Sequence, residues 1–235
     1  MAMTMNKHKV VNHVFTALAK QAKEADDYPG RPVLEQFIYA ICREGTTRAQ
    51  ADLAFQALQS RFFDWNEIRV SGPEEIAEVL EGFAPDPEKR AQRIIDFLQE
   101  VFETTFAFDL EGLQKKGLKQ AAKQLARYQA ANDYAVAWVT QQSLGGHAIP
   151  LDDVTLRVLR RLHVIEADVT DLEAIRASLE HQVPKVKGTL FVDLISSLGQ
   201  EFCHESRPAC SSCPLKPHCP TGQHVKAPAS NKKPR

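Results

Sequence analysis

Residues 203–219 read CHESRPACSSCPLKPHC, four cysteines in the spacing Cys203-x6-Cys210-x2-Cys213-x5-Cys219. Pro208, Pro214 and Pro217 interrupt the segment, and proline in a helix interior removes a hydrogen bond and clashes with the preceding turn. A wrapped coil follows, on which four thiols can converge on one centre. In a reducing compartment clustered thiols serve as metal ligands more readily than as disulfides. Structural zinc commonly uses two short Cys-x2-Cys knuckles, and only Cys210 and Cys213 form one here. Iron–sulfur clusters take four thiolates with more varied spacing. The residues therefore favour an iron–sulfur cluster, with zinc as the alternative. His204 and His218 lie inside the segment as alternative ligands but read as surface residues.

Upstream of this coil the pattern is helical. Apolar residues recur at three- and four-residue spacing over Val10–Ala22, Val33–Ile41, Ala51–Leu58, Ile76–Leu80 and Ile94–Phe102. Weaker stretches follow at Leu113–Leu125, Tyr134–Val139, Val154–Leu162, Leu172–Leu179 and Leu190–Leu198. Together they predict roughly ten helices and almost no strand. Pro29-Gly30, Ser71-Gly72-Pro73, Ala84-Pro85-Asp86-Pro87 and Leu144-Gly145-Gly146 separate them, with Thr47, Ser71 and Asp86 as candidate caps. The fold class is all-α, with a metal-bound coil near the end.

At 235 residues the chain can bury one large core or two modest ones. No apolar run approaches the roughly 20 residues that span a bilayer, and the N-terminus lacks the features of a secretion signal. The expectation is a cytoplasmic protein, nucleoid-associated if bacterial. The formal net charge of −1 conceals an asymmetry: Arg207, Lys216, Lys226, Lys232, Lys233 and Arg235 face only Glu205 beyond position 202, so the remainder is acidic. A basic end of this kind suits contact with phosphate.

The cysteine spacing resembles the 4Fe-4S loop that closes members of the endonuclease III family, within the helix-hairpin-helix (HhH-GPD) DNA glycosylase superfamily. There the loop follows a helix similar to Val186–Glu201 and helps present basic residues to DNA. The resemblance runs from about Val33 to Pro220 and implies a two-lobed helical fold. Residues 32–141 would form a central lobe with a degenerate hairpin. Residues 1–31 with 142–220 would form the second lobe, carrying the 4Fe-4S loop at 203–219, and 221–235 a disordered basic tail.

Members of that family place a catalytic aspartate ahead of a helix in a segment similar to Ile149-Pro150-Leu151-Asp152-Asp153-Val154-Thr155-Leu156-Arg157-Val158. The residues alone give the same placement, since Val154, Val158, Leu159 and Leu162 form the buried stripe of a helix whose N-terminus carries Asp152 or Asp153. A carboxylate there is ordinarily a cap. Beside a glycosidic bond it could also stabilise the positive charge that develops on the sugar as the base leaves, once the base is flipped from the duplex.

The family's hairpin sequence, Leu-Pro-Gly-x-Gly-x-Lys-Thr-Ala, is replaced by Tyr128-Gln129-Ala130-Ala131-Asn132-Asp133-Tyr134-Ala135-Val136. Tyr134 stands eighteen residues before Asp152, where the family's lysine would be, so lysine-dependent AP lyase chemistry is not expected. The pair Tyr134 and Asp152 resembles members that remove the base without cutting the strand. The alternative is Tyr134 as a core residue. Ala130 and Asn132 occupy the places of the glycines whose amides would clamp a phosphate. Near Ile41-Cys42-Arg43-Glu44-Gly45-Thr46-Thr47 the family has a glutamine that enters the base stack, and Glu44 holds that position here, while Cys42 reads as a buried thiol.

The catalytic candidates are thus Asp152 and Tyr134, the cluster ligands Cys203, Cys210, Cys213 and Cys219, and the DNA contacts Asn132, Arg157, Arg160, Arg161, Lys187, Arg207 and Lys216, joined by Lys185 near the metal segment. The expected function is a monomeric, double-stranded-DNA-binding, monofunctional DNA glycosylase of base-excision repair. The rival is a non-catalytic 4Fe-4S DNA-binding protein that has lost glycosylase and lyase activity.

Overall fold

The computed structural model describes residues 7–18 and 28–224, which hold twelve α-helices, three 3-10 turns and no strand. They are α1 (Lys7–Ala17), α2 (Val33–Arg43), α3 (Arg48–Arg61), α4 (Trp65–Val70), α5 (Pro73–Leu80) and α6 (Pro87–Thr105). Then come α7 (Leu118–Leu125), α8 (Asp133–Gln142), α9 (Asp153–Arg161), α10 (Leu172–Glu180), α11 (Gly188–Glu201) and α12 (Pro220–His224). No helix among these residues is long and apolar enough to cross a membrane.

Helix boundaries follow local chemistry. Thr47 closes a capping box with Gln50 at the start of α3, satisfying two amides that the first turn leaves without partners. Ser71, expected as a cap, instead ends α4, because Gly72 and Pro73 supply the next start: proline at the first helical position has no N–H to satisfy. Asp86 does precede α6, but in a left-handed conformation, φ 50°, and without a side-chain bond to the helix. Residues 221–224, expected in the tail, continue instead as α12, where the Thr221 hydroxyl donates to the Arg161 carbonyl at 2.9 Å. The expected tail beyond 224 lies outside the described residues.

Packing falls into two sets. Helix α2 lies against α3, α6 and α8, with α4 and α5 against α6 and α7 against α8. Helix α11 lies against α1 and α9, with α9 also meeting α12. The first set centres on Phe37, Phe97 and Tyr128, where the two phenylalanine rings stack at 3.9 Å and Tyr128 meets both edge-on. In the second, Gly199 lets α11 press against α9, since a β-carbon there would collide with Val154.

A buried polar joint ties the sets together. Arg43, at the end of α2, is fully buried and donates through Nη2 to Asp193 Oδ1 at 2.9 Å and to Ser196 Oγ at 2.6 Å, both on α11. The Tyr28 hydroxyl donates to the same Asp193 oxygen at 2.8 Å. A guanidinium out of water is tolerable only when its charge and its donors are answered, and Asp193, Ser196 and the Thr46 carbonyl do so.

Candidate active site and metal centre

Between the two sets opens a cleft of about 670 Å³, bordered by Glu44, Lys89, Arg90 and Arg93 on one side and by Asp152, Arg157, Gln200 and His204 on the other. Asp152 is 7% exposed at its wall and is the N-cap of α9. Its Oδ1 accepts from the Thr155 amide at 2.7 Å, and its Oδ2 accepts from the Gly45 amide at 2.8 Å. Each oxygen has a second acceptor position left. The carboxylate is thereby fixed in orientation by two backbone donors from different halves of the molecule.

Gly45 is shaped for that role. It turns the chain out of α2 with φ +71°, a region that costs a residue with a β-carbon about 1–2 kcal/mol. Its carbonyl accepts from Gln200 Nε2 at 2.6 Å, so both backbone polar groups of this one residue are bonded across the cleft.

Tyr134 lies beneath the cleft and is not among the residues that border it. It is 2% exposed, its ring stacks on Trp138 at 6.3 Å, and its hydroxyl has no partner. Burial pushes its phenol well above the ordinary range; Arg43 opposes the shift and Asp152 adds to it. It is a buried, neutral core residue.

The hairpin between α7 and α8 holds no residue with positive φ, so the amide-forward geometry that glycines would give is missing. Asn132 is the N-cap of α8, accepting from the Ala135 amide at 2.9 Å, and its Nδ2 donates to Glu44 Oε1 at 2.8 Å. Glu44 does not project freely either: its Oε2 accepts from Arg93 Nη1 at 2.6 Å.

The four cysteines border one small cavity of about 20 Å³, lined also by Val158, Leu162, Leu198 and Leu215. Burial raises the thiols of Cys213 and Cys219 above the ordinary range. Cys219 Sγ accepts from the Gly222 amide at 3.3 Å, and Cys203 Sγ accepts from Arg161 Nη1 at 3.4 Å. Among the described residues no three His, Cys, Asp or Glu side chains draw together as tightly as one metal ion requires. His218 stacks on His13 of α1 at 3.6 Å, while His204 faces the cleft.

The arginines of α9, expected as DNA contacts, are bonded inward. Arg157 Nε donates to the Cys203 carbonyl at 2.9 Å, and Arg160 Nη2 to that of Val169 at 3.2 Å. Arg161 donates to the carbonyls of His204 at 2.6 Å and Glu205 at 2.7 Å. They staple the cysteine loop and the α9–α10 connection to α9; Arg157 also borders the cleft. Lys187 and Arg207 are exposed and Lys216 is half-buried beside the thiol cavity. Lys187 Nζ stands 5.1 Å from the Phe15 ring, and Lys185 Nζ donates to the Gly145 carbonyl at 2.7 Å.

A non-covalent endonuclease III–DNA complex matches with a TM-score of 0.68 and 17% identity, covering 94% of this chain and 98% of that one. The chain has the endonuclease III fold. A thermostable thymine-DNA glycosylase shares it, with a TM-score of 0.64, 18% identity, and coverage of 93% and 98%. In sequence, the DNA glycosylase/AP lyase ROS1 of Arabidopsis thaliana is 27% identical over 173 residues, 66% of this chain and 12% of that protein. The endonuclease III homolog of Encephalitozoon cuniculi (strain GB-M1) is 26% identical over 112 residues, 47% of this chain and 46% of its own length. The chain thus spans less than half of either sequence relative, and no protein-family model matches it. On the endonuclease III fold, Arg43, Gly45, Arg93 and Asp193 were missed as joint and cleft residues. Their one sequence signal was a lone charge inside an apolar run, Arg43 after Ile38–Cys42 and Asp193 within Leu190–Leu198.

Proposed function

We propose that the protein is a monofunctional DNA glycosylase that binds double-stranded DNA as a monomer and hydrolyses the N-glycosidic bond of a damaged or mismatched base. The observation that carries this reading is Asp152, held at the cleft wall by the amides of Gly45 and Thr155 with acceptor positions to spare. As the base departs, positive charge grows on the sugar, and a pre-oriented carboxylate stabilises it without reorganising. The same group can orient the attacking water. Tyr134 offers no amine for a Schiff base, and as a buried neutral phenol it packs behind the cleft lining.

The chemistry of the donor set supports a 4Fe-4S cluster held by Cys203, Cys210, Cys213 and Cys219. Zinc draws four thiolates to about 2.3 Å from one ion, so their sulfurs nearly touch. A cluster carrying its own sulfides takes four thiolates around a space wider than one ion needs, and these four cysteines border a single cavity. When bound, the group would fasten the loop to α9 and α12, with Arg161 and the Gly222 amide donating toward its ligand sulfurs. Arg207 and Lys187 then face solvent as phosphate contacts, with half-buried Lys216 beside them, while the arginines of α9 position the loop.

A non-catalytic DNA-binding protein is the second reading, favoured by the hairpin's lack of left-handed residues. A panel of duplexes with single damaged or mismatched bases, treated with alkali to reveal abasic sites, separates the two. Alkali-dependent cleavage on at least one lesion supports the glycosylase, and cleavage without alkali would reveal a lyase. Salt-sensitive binding with no base release on any duplex would establish the binding module instead.

A further inference from the structure

We propose that Arg93 and Asn132 form a phosphate-binding subsite at the mouth of the cleft, and that Glu44 of the same chain occupies it as an internal placeholder for a DNA phosphate. The inference rests on the reading of the cleft as a DNA site.

The subsite is organised from three elements. Helix α6 supplies Arg93, the hairpin supplies Asn132, and the turn after α2 supplies Glu44. Arg93 Nε donates to the Ala130 carbonyl at 2.7 Å, which fixes the plane of the guanidinium, and Nη1 donates to Glu44 Oε2 at 2.6 Å. Asn132 Nδ2 holds the other carboxylate oxygen at 2.8 Å. One anionic group with two oxygens thus bridges a guanidinium and an amide, an arrangement equally suited to two oxygens of a phosphodiester.

The set of donors is larger than Glu44 can use. Arg93 Nη2 is buried and has no partner, so the fork offers one more N–H than the carboxylate accepts. A phosphate, with more acceptor capacity on its oxygens, could also take that bond. Arg90 holds the main chain of this turn by donating to the carbonyls of Ile41 and Glu44. The Glu44 side chain can therefore leave while the backbone, with the Gly45 amide on Asp152, stays in place. Lys89 and Arg157 border the same cleft, giving an incoming phosphate a basic path.

The placeholder suits a hairpin without glycines. Backbone amides that cannot be turned toward a phosphate leave side-chain donors to do it, and the carboxylate answers two of them, Arg93 Nη1 and Asn132 Nδ2, while no DNA is bound.

The test is binding of a duplex with a single tetrahydrofuran abasic-site analogue, followed by fluorescence anisotropy across a salt series, so that no turnover is needed. Glu44→Gln should bind on the order of tenfold tighter, as expected for a freed charge-assisted contact. It should also steepen the salt dependence by about 0.9 in log Kd per log salt, the signature of one added phosphate contact. Glu205→Gln removes the same charge from the cleft without freeing a guanidinium and should change affinity far less. In an Arg93→Ala background the advantage of Glu44→Gln should shrink to that of Glu205→Gln.

A Glu44→Gln variant that is folded by circular dichroism and binds no tighter than Glu205→Gln overturns the subsite. So does a gain that survives Arg93→Ala. A wild-type protein that binds no duplex at any salt concentration would instead overturn the DNA reading on which the subsite depends.

Discussion

The two walls of the cleft are built on different principles. On the Asp152 wall, α9, α11 and the cysteine loop interlock through close backbone packing and inward-bonded arginines, and the key carboxylate is held by two main-chain amides. On the hairpin wall, Glu44, Arg93 and Asn132 answer one another through side chains alone. Main-chain donors are lost only to proline, whereas side-chain pairs can be re-assorted residue by residue. The wall that carries Asp152 is thus set by the backbone, and the hairpin wall is adjustable.

The largest effect should come from the joint that holds the walls in register. Replacing Arg43 with Met leaves Asp193 buried without its main partner, and such a break costs about 3–5 kcal/mol. Urea denaturation should show that loss, and a change under 1 kcal/mol would mean that Arg43 is not the tie between the walls. Next is Arg161→Ala, which frees the carbonyls of His204 and Glu205 from their charged donor at about 1.5–3 kcal/mol. Iron content and melting temperature should fall together, and unaltered iron with unaltered melting would remove the arginine staple from the description.

Gly45→Ala is expected to cost about 1–2 kcal/mol, because the turn needs positive φ. It should lower base release beyond its effect on stability, since the amide that orients Asp152 moves with the turn. Equal losses in stability and rate would assign Gly45 to the fold alone.

What the sequence made legible follows the same division. The cysteine coil, the α9 stripe and the Asp152 cap were readable because each depends on residues near in sequence: a spacing, a period, a helix start. Arg43 with Asp193, Gly45 with Asp152, and Arg93 with Glu44 were not, because each pair joins residues far apart in the chain. The arginines of α9 were placed on the polar side, and they do leave the apolar stripe. Only the tertiary packing of the cysteine loop reveals that their guanidiniums turn back to its carbonyls. Glu44 was legible as a departure in residue type, and its ties to the hairpin and α6 were not.

The smallest structural change accompanies the most decisive functional one. Asn keeps the cap bond from the Thr155 amide but sets an Nδ2 donor against the Gly45 amide that Asp152 Oδ2 accepts, so Asp152→Asn should lower stability by about 1–3 kcal/mol and still fold. Single-turnover base release from the duplex that wild type processes should nonetheless slow by about 10²–10³-fold, because the charge facing the sugar is gone. A folded Asp152→Asn protein that releases the base at the wild-type rate would contradict the assignment of Asp152 as the group that drives the reaction.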